Sequence, residues 1–459
     1  MKKLYPIEYI SSVENTIFIP EACEVALPLH YVSFGTKKTA VIIQKQKNAK
    51  NIISISNDLK STLQLPDYSS NIHLFFDSDT LYIGPLVGIF TCGFHTGRAK
   101  PIGERSLIFS KLLSVQKTAG VIAFLFGEQH INWETQTING LFYEKGQWEV
   151  AEIPFPNVIY DRIPNRKSEN LPRIQRTKKR LQQEFLIPWY NPGFFNKLDI
   201  YERLLQENSI SDYLPETHAF TSFSMVERML SNFGHVYIKP KNGSLGKGIY
   251  QLLYDRKEEM YYIRFNDEKG EKRLQKFETL ETLMNHTFSK MNMDNFIIQQ
   301  GIHLIRFEQK PIDFRVHTNK NKDGVWEVTA IAAKIAGNGS VTTHLNKGGT
   351  IKAVEELTAI STDTEGMLQK LKNASLKISK ALEKQINGII GEIGFDIGID
   401  RKGRVWLFEA NSKPGRSIFK YPSLKKYDVL TRKLSLEHSV YLMEQNIKKL
   451  EGSTRGHLL

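Results

Sequence analysis

Residues His235 to Tyr250 run HVYIKPKNGSLGKGIY. Val236-Tyr237-Ile238 is a short apolar run of strand type, and Ile249 to Leu253 is a second one. Between them lie Lys239-Pro240 and the segment NGSLGKG, Asn242 to Gly248. The pattern predicts a β-hairpin with a glycine-rich tip. Glycine lets backbone amides turn toward a ligand with no Cβ in the way. Successive amides facing one concavity form an anion site. A phosphate under this loop, with Lys239 at its base, is the functional reading. A plain flexible turn is the structural one, since Gly and Asn are ordinary turn residues.

Two better-known phosphate loops do not fit. A P-loop needs G-x-x-x-x-G-K-[ST] followed by a helix. Here Gly243 stands too close to Gly246-Lys247, Gly248 replaces the hydroxyl residue, and a strand follows. A protein kinase also carries a glycine-rich hairpin, but its H-R-D and D-F-G motifs are absent. Asp313-Phe314-Arg315 does not substitute for them.

The chain has 459 residues, enough for two to four domains. With 41% hydrophobic and 24% charged residues it has the composition of a soluble globular protein. Lys and Arg number 62 against 49 Asp and Glu, a formal charge of +13. Such a charge favours anionic partners, or is spread over a solvated surface. No zinc-finger, RRM or helix-turn-helix signature supports nucleic acid. Cys23 and Cys92 are the two cysteines, which fits a reducing compartment without a disulfide framework. Pro6 and Glu8 interrupt any apolar signal segment, and the run Val121 to Phe126 is too short to span a bilayer. The expected location is the cytoplasm.

Residues 1–85 carry recurrent short apolar runs: Ile17–Ile19, Ala40–Ile43, Ile52–Ile55, Ile72–Phe76 and Leu81–Ile83. They predict an all-β barrel or sandwich. Leu86–Phe90 reads as a strand, Ser106–Thr118 as a helix stopped by Gly120, and Val121–Phe126 as a strand, a βαβ pattern. Leu141–Val150 and Val158–Tyr160 add strands. The loop Thr91–Gly103, with His95 and Arg98, is a candidate substrate wall or a plain connection. Arg162 to Arg180, rich in basic residues, reads as a solvated linker or helix face. The expected division is 1–85, 86–190 including this basic linker, and 191–450.

The second strong signal lies near the other end. Ile393–Ile397 and Val405–Asn411 read as two strands joined by a turn at Asp400 to Gly403. Asp396 and Glu409 sit on these paired strands. Alternation places Asn411 on the same face as Glu409. Carboxylates on an otherwise apolar strand need a partner. Asp396, Glu409 and Asn411 are hard oxygen donors of the kind Mg²⁺ accepts alongside water and phosphate. The plainer reading is an edge strand whose Glu409 meets solvent.

In order, the chain offers a lysine-bearing strand, a glycine loop, the strand Phe296–Ile302, the strand Asp313–Val316, the strand Val328–Lys334, a Gly348-Gly349 stretch, and the Asp and Glu-x-Asn strands. This ordered set resembles the ATP-grasp superfamily over about residues 190–430, and within it the YheC/YheD type of endospore coat-associated proteins. The resemblance implies a multidomain α/β (α+β) architecture: an ATP-grasp fold preceded by a small α/β domain and an N-terminal all-β domain. It implies that Lys239 and Lys197 contact ATP phosphates, and that Ser244, Leu245, Gly246, Lys247 and Gly248 cover them. Gln299, Gln300 and Ile302 would belong to the hinge that reads adenine, mainly by backbone. Asp396, Glu409 and Asn411 would bind one or two Mg²⁺. Arg315 and Lys334 would stabilise the transferred phosphoryl group or bind the acyl substrate. Lys413, Pro414 and Gly415 resemble the turn after the metal strand. Two departures stand out: His344 where many relatives have Asn, and Gln299-Gln300 where an acidic residue is frequent. The implied activity is an ATP- and Mg²⁺-dependent carboxylate-amine or carboxylate-thiol ligase. It would work through an acyl phosphate on unknown substrates, such as a peptide or spore-coat component. A non-catalytic nucleotide-binding scaffold of the coat is the alternative, and a binder of nucleic acid or another anionic polymer a distant third.

Overall fold

The computed structural model describes residues 3–456 apart from 26–27, 47–50, 68–70, 98, 243–247, 268, 338–348 and 358–363. It contains four sheets. The first holds eight short strands from Tyr5–Ile10 to Thr80–Gly84. The two ends of its hydrogen-bonded path, Lys37–Ala40 and Ile42–Lys45, are consecutive in sequence. One residue, Val41, separates them, so the sheet curls back on itself. The run Ala40–Ile43 is thus not one strand: Val41 forms the corner, where its N–H donates to His30 O. The helix Asn57–Thr62 interrupts the expected all-β pattern.

The second sheet has Leu86–Phe90 parallel to Ile122–Phe126, the expected βαβ unit. The crossover is two helical pieces, Ser106–Leu113 and Gln116–Ala119, rather than one helix. Gly120 closes the second with φ +70°, a left-handed cap that favours glycine. The expected strand Leu141–Val150 is instead a hairpin of Thr137–Glu144 and Gln147–Pro154. Its turn places Lys145 at φ 48° and Gly146 at φ 87°, and two positive φ values are what a two-residue hairpin turn needs. One continuous apolar core runs from Tyr5 to Trp189 through both sheets. The basic stretch is not a linker. Pro172–Gln183 is a helix that buries Ile174, Thr177, Lys178 and Leu181 and leaves its other basic residues outward.

The third and fourth sheets are antiparallel. The third runs Thr217–Ala219, Phe296–Gln300, His235–Pro240, Tyr250–Asp255, Met260–Asn266, Lys272–Phe277. Helices Phe223–Phe233 and Leu280–Phe288 cover one face, over Val236, Ile238, Leu252, Ile263 and Ile298. Period-two alternation therefore turns His235, Tyr237 and Lys239 to the opposite face. In the fourth sheet Lys310–Lys320 lies between Trp326–Ile335 and Glu392–Ile399, and Val405–Asn411 follows. Helix Thr364–Gln385 packs on Phe314, Val316, Ala333, Phe395 and Ile397. Asp313, Arg315, His317 and Asn319 consequently face away from that helix.

A buried ionic knot joins the second sheet to the fourth. Glu392 receives Tyr160 Oη at 2.5 Å, Arg162 Nη1 at 2.5 Å, Arg416 Nη2 at 3.2 Å and Ser435 Oγ at 3.1 Å. Asp161, fully buried, pairs with Lys178 at 2.6 Å and Lys413 at 2.7 Å. Their ammonium groups hold the Asp161 carboxyl below its usual range, although burial alone would raise it. Cutting one partner from such a cluster strands buried charge, at a cost of about 3–5 kcal/mol. Glu392→Ala is expected to lower the unfolding free energy by about that amount in urea titrations. Glu104→Ala, which removes an exposed pair with Lys100, should cost under about 1 kcal/mol.

Candidate functional site

The uncovered faces of the third and fourth sheets bound one cavity of about 680 Å³. On the upper wall, Lys239 is 8% exposed. Its Nζ donates to Gln299 Oε1 at 2.6 Å and to Phe408 O at 3.4 Å. Gln299 Nε2 in turn donates to Thr217 Oγ1 at 2.8 Å. Burial, reinforced by the nearby Lys197 charge, pushes the Lys239 ammonium down to about 8. A neutral amide partner does little to offset that desolvation.

Lys197 opens helix Lys197–Leu205, whose N-cap Asn196 accepts from Leu198 N and Asp199 N. Asn196 Nδ2 also donates to Asn242 Oδ1 at 3.0 Å, and Lys197 N to Lys241 O at 3.4 Å. The helix start is thereby tied to the base of the glycine hairpin. Lys197 Nζ lies 3.3 Å from Glu409 Oε1.

The lower wall is set by strand register. Asp313 lies opposite Lys334, and Arg315 opposite Asp396. Asp396 lies opposite Glu409, with a bulge at Asp396/Ile397. Lys334 Nζ sits 2.9 Å from Asp313 Oδ1 and 2.8 Å from Asp396 Oδ1. Burial opposes its charge, but the two carboxylates prevail and hold its pKa above the ordinary lysine value. Arg315 Nη1 is 3.4 Å from Asp396 Oδ2. With its amide oriented to satisfy both neighbours, Asn411 donates to Glu409 Oε1 at 3.2 Å and accepts from Arg315 Nη1 at 3.2 Å.

Of the residues expected from the sequence, Lys197, Lys239, Gln299, Gln300, Ile302, Lys334, Asp396 and Glu409 line this cavity, while Arg315 and Asn411 stand against Asp396 and Glu409. Gly248, with φ +69°, belongs to the hairpin above. Ser244, Leu245, Gly246 and Lys247 lie outside the described residues, as do His344, Lys347 and Gly348. At the expected hinge, Gln300 N donates to Glu216 O and Gly301 N to His235 O. Those two donors are committed within the protein, and Gln300 Oε1 accepts from Glu216 N. The Gly301 position is forced: a Cβ there would run into the His235 ring. Lys413 lies away from the cavity, in the ionic knot with Asp161 and Glu169.

Sequence reasoning passed over Asp313 as a site residue. Its signal was present, because it stands two residues before Arg315 and shares its face. It also passed over Arg264, which is placed by the ladder Tyr237–Gln251–Arg264 across three strands. No run of residues carries that relation.

Asp396, Glu409 and Asn411 form an all-oxygen donor set on neighbouring strands. That set suits Mg²⁺, which takes one or two carboxylates and leaves its other positions to water and phosphate. Among the described residues, no group of three Asp, Glu, His or Cys side chains could hold a metal by itself. A protein-only metal cage is therefore not what this wall offers there.

The model of the YheC/D-like ATP-grasp family matches residues 186–442. The chain is 42% identical to the endospore coat-associated protein YheD of Bacillus subtilis (strain 168) over 439 residues, 96% of each chain. It is 24% identical to the endospore coat-associated protein YheC of the same strain over 311 residues, 66% of this chain and 82% of that one. Among solved structures, the D-alanine–D-alanine ligase of Bacillus anthracis complexed with ATP aligns at 12% identity. That alignment covers 78% of this chain and 99% of that one, with a TM-score of 0.44.

The Lys239 environment generates a pH prediction. A polyanion binds its charged form, so the bound-state pKa lies above the free value of about 8. Binding then takes up a proton above that pH, and affinity falls as pH rises. Calorimetry with inorganic triphosphate should show a decline of up to about tenfold per pH unit above 8, one linked proton. Lys239→Met, measured across the same pH range, should lose that slope.

Proposed function

The chain belongs to the YheC/D-like ATP-grasp family, and on that premise we propose that it is an ATP- and Mg²⁺-dependent ligase. It would join a carboxylate to an amine or thiol through an acyl phosphate. One observation carries the reading: Lys197, Lys239 and Lys334 line one cavity with the carboxylates Asp396 and Glu409, and Asn411 stands against Glu409. Phosphoryl transfer needs positioning and charge stabilisation more than covalent help from the protein.

In this reading Lys197 and Lys239 hold the ATP phosphates, and covering them is the role proposed for Ser244 to Gly248. Asp396, Glu409 and Asn411 hold Mg²⁺, which when bound neutralises charge on the phosphate oxygens. Arg315 faces the transferring phosphoryl group or the acyl carboxylate. Lys334 is committed to Asp313 and Asp396 in the resting protein, so its first task is to keep Asp396 in place. The substrate carboxylate attacks the γ-phosphorus, the bond to ADP breaks, and the acyl phosphate forms. The amine or thiol then displaces phosphate.

The resting pairs Lys197–Glu409, Lys334–Asp396 and Arg315–Asp396 neutralise the site before any ligand arrives. Mg²⁺ alone would have to break them, whereas Mg²⁺ with ATP exchanges each partner for another. That self-neutralised rest state also suits the second reading, a nucleotide-binding component of the spore coat without turnover. The name of the YheD relative supports coat association for either reading. No helix among the described residues is long and apolar enough to cross a membrane. We keep 1–85, 86–190 and 191–450 as the working domain division.

Mg²⁺-ATP at 100 times its dissociation constant should stabilise the chain by about 2.7 kcal/mol, with no comparable shift from Mg²⁺ alone. Thermal melts test both. Absence of a shift at millimolar Mg²⁺-ATP would sink both readings. Glu409→Gln should cut ATP turnover by about 100-fold or more while weakening Mg²⁺-ADP much less. No turnover in the wild type with any acid and amine pair, together with full rescue of a deletion strain by the Gln variant, would favour the coat component.

A further inference from the structure

The cations that line the cavity fall into two sets. The inner ones have partners: Lys197 has Glu409, Lys334 has Asp313 and Asp396, and Lys239 has Gln299. Arg264, Arg306, Lys310 and Arg401 line the same cavity without a carboxylate partner among the described residues. Three of the four acidic residues on its wall, Asp313, Asp396 and Glu409, belong to the inner set, which leaves Glu308 at the outer one.

The outer four come from separate parts of the fold. Arg264 lies on the third sheet, opposite Gln251. Arg306 and Lys310 flank the tight turn at Glu308 (φ 47°) and Gln309 (φ 63°). Arg401 sits on the turn between the two carboxylate strands, held by its N–H to His303 O at 3.2 Å. Strand geometry separates the two sets. Arg264 is two strands across and two residues along from Lys239, a Cα separation of about 12 Å. Lys310 is three residues along its strand from Asp313, about 10 Å. Four cations lining one cavity, with Glu308 the acid outside the inner set, raise its potential and attract anions. These separations set the backbone positions of Arg264 and Lys310 apart from the inner cluster.

We propose that Arg264, Arg306, Lys310 and Arg401 form a second anion subsite at the outer end of the cleft. It takes a phosphate or carboxylate carried by the ligand beyond the ATP phosphates. The proposal rests on the reading that the inner end holds Mg²⁺-nucleotide. Two sources share this chemistry: an acyl substrate with further carboxylates, or a phosphate on the nucleotide ribose.

Calorimetry on the full chain tests it with two probes. The first is triglutamate in the presence of saturating Mg²⁺-ADP. The second is adenosine 3′,5′-bisphosphate compared with AMP. The variants are Arg306→Ala/Arg401→Ala, on exposed positions, and Arg264→Ala separately. Each lost charge contact should weaken the relevant probe about tenfold, at least tenfold more than it weakens Mg²⁺-ADP. Triglutamate binding lost in the variants assigns the subsite to the acyl substrate. A preference for the 3′-phosphate, lost in the variants, assigns it to the nucleotide. If neither probe binds the wild type better than the variants, while Mg²⁺-ADP still stabilises the wild type, the subsite is overturned and the nucleotide reading stands. A loss of Mg²⁺-ADP affinity equal to that of the probe would merge the two ends and also overturn it. No stabilisation of the wild type by Mg²⁺-ADP would remove both.

Discussion

A lysine buried in a sheet face keeps its charge firmly only where carboxylates stand beside it, because the uncompensated charge costs several kcal/mol. Lys334 meets that condition with Asp313 on the neighbouring strand and Asp396 one strand further. The requirement constrains three strands at once. Slipping any of them by one residue would turn its charged member into the helix-covered core. The same register brings Arg315 opposite Asp396 and Asp396 opposite Glu409. The lower wall of the cleft is therefore a consequence of charge neutralisation within one sheet, and its polar groups are held in place before any ligand binds.

The ionic knot around Glu392 and Asp161 extends this logic behind the site. Arg162 and Tyr160 come from the second sheet, Arg416 from the segment after the Glu-x-Asn strand, and Ser435 from the long C-terminal helix. Lys413 reaches Asp161 and Glu169 from two residues beyond Asn411. A Cβ on Gly394 would come within 2.5 Å of Pro414. The turn after Asn411 is thus pressed onto the neighbouring strand and anchored to the preceding unit. A rigid support of this kind keeps Glu409 and Asn411 from drifting, which matters where positioning supplies most of the rate.

The upper wall is tuned differently. Among the described residues no carboxylate lies against the Lys239 ammonium, which donates to the Gln299 amide held by Thr217 and to the Phe408 carbonyl. Desolvation then leaves its charge within reach of ordinary pH changes. The lower wall is neutral by internal pairing, the upper wall is a cation short of partners, and the outer rim is more so.

Elements whose signal is local are legible in the chain. Alternation over Val405–Asn411 puts Glu409 and Asn411 on one face, and the glycine tip after Val236–Ile238 marks the hairpin and its lysine. The order of these motifs is enough for the family. Folding alone fixes what depends on register between distant strands: Lys334 clasped between Asp313 and Asp396, Gln299 turned to Lys239 by its side chain, and Arg264 placed along the cleft. It also turned two expected strands into a corner at Val41 and a hairpin at Lys145-Gly146, where single residues reverse the chain within apolar runs. Lys178, in the stretch read as solvated, and Lys413, read as part of a turn, are both buried against carboxylates, and those of Lys413 lie 244 and 252 positions away. Charge pairing across such distances leaves no periodicity in the chain. Its energy exists only once burial has excluded water from both partners.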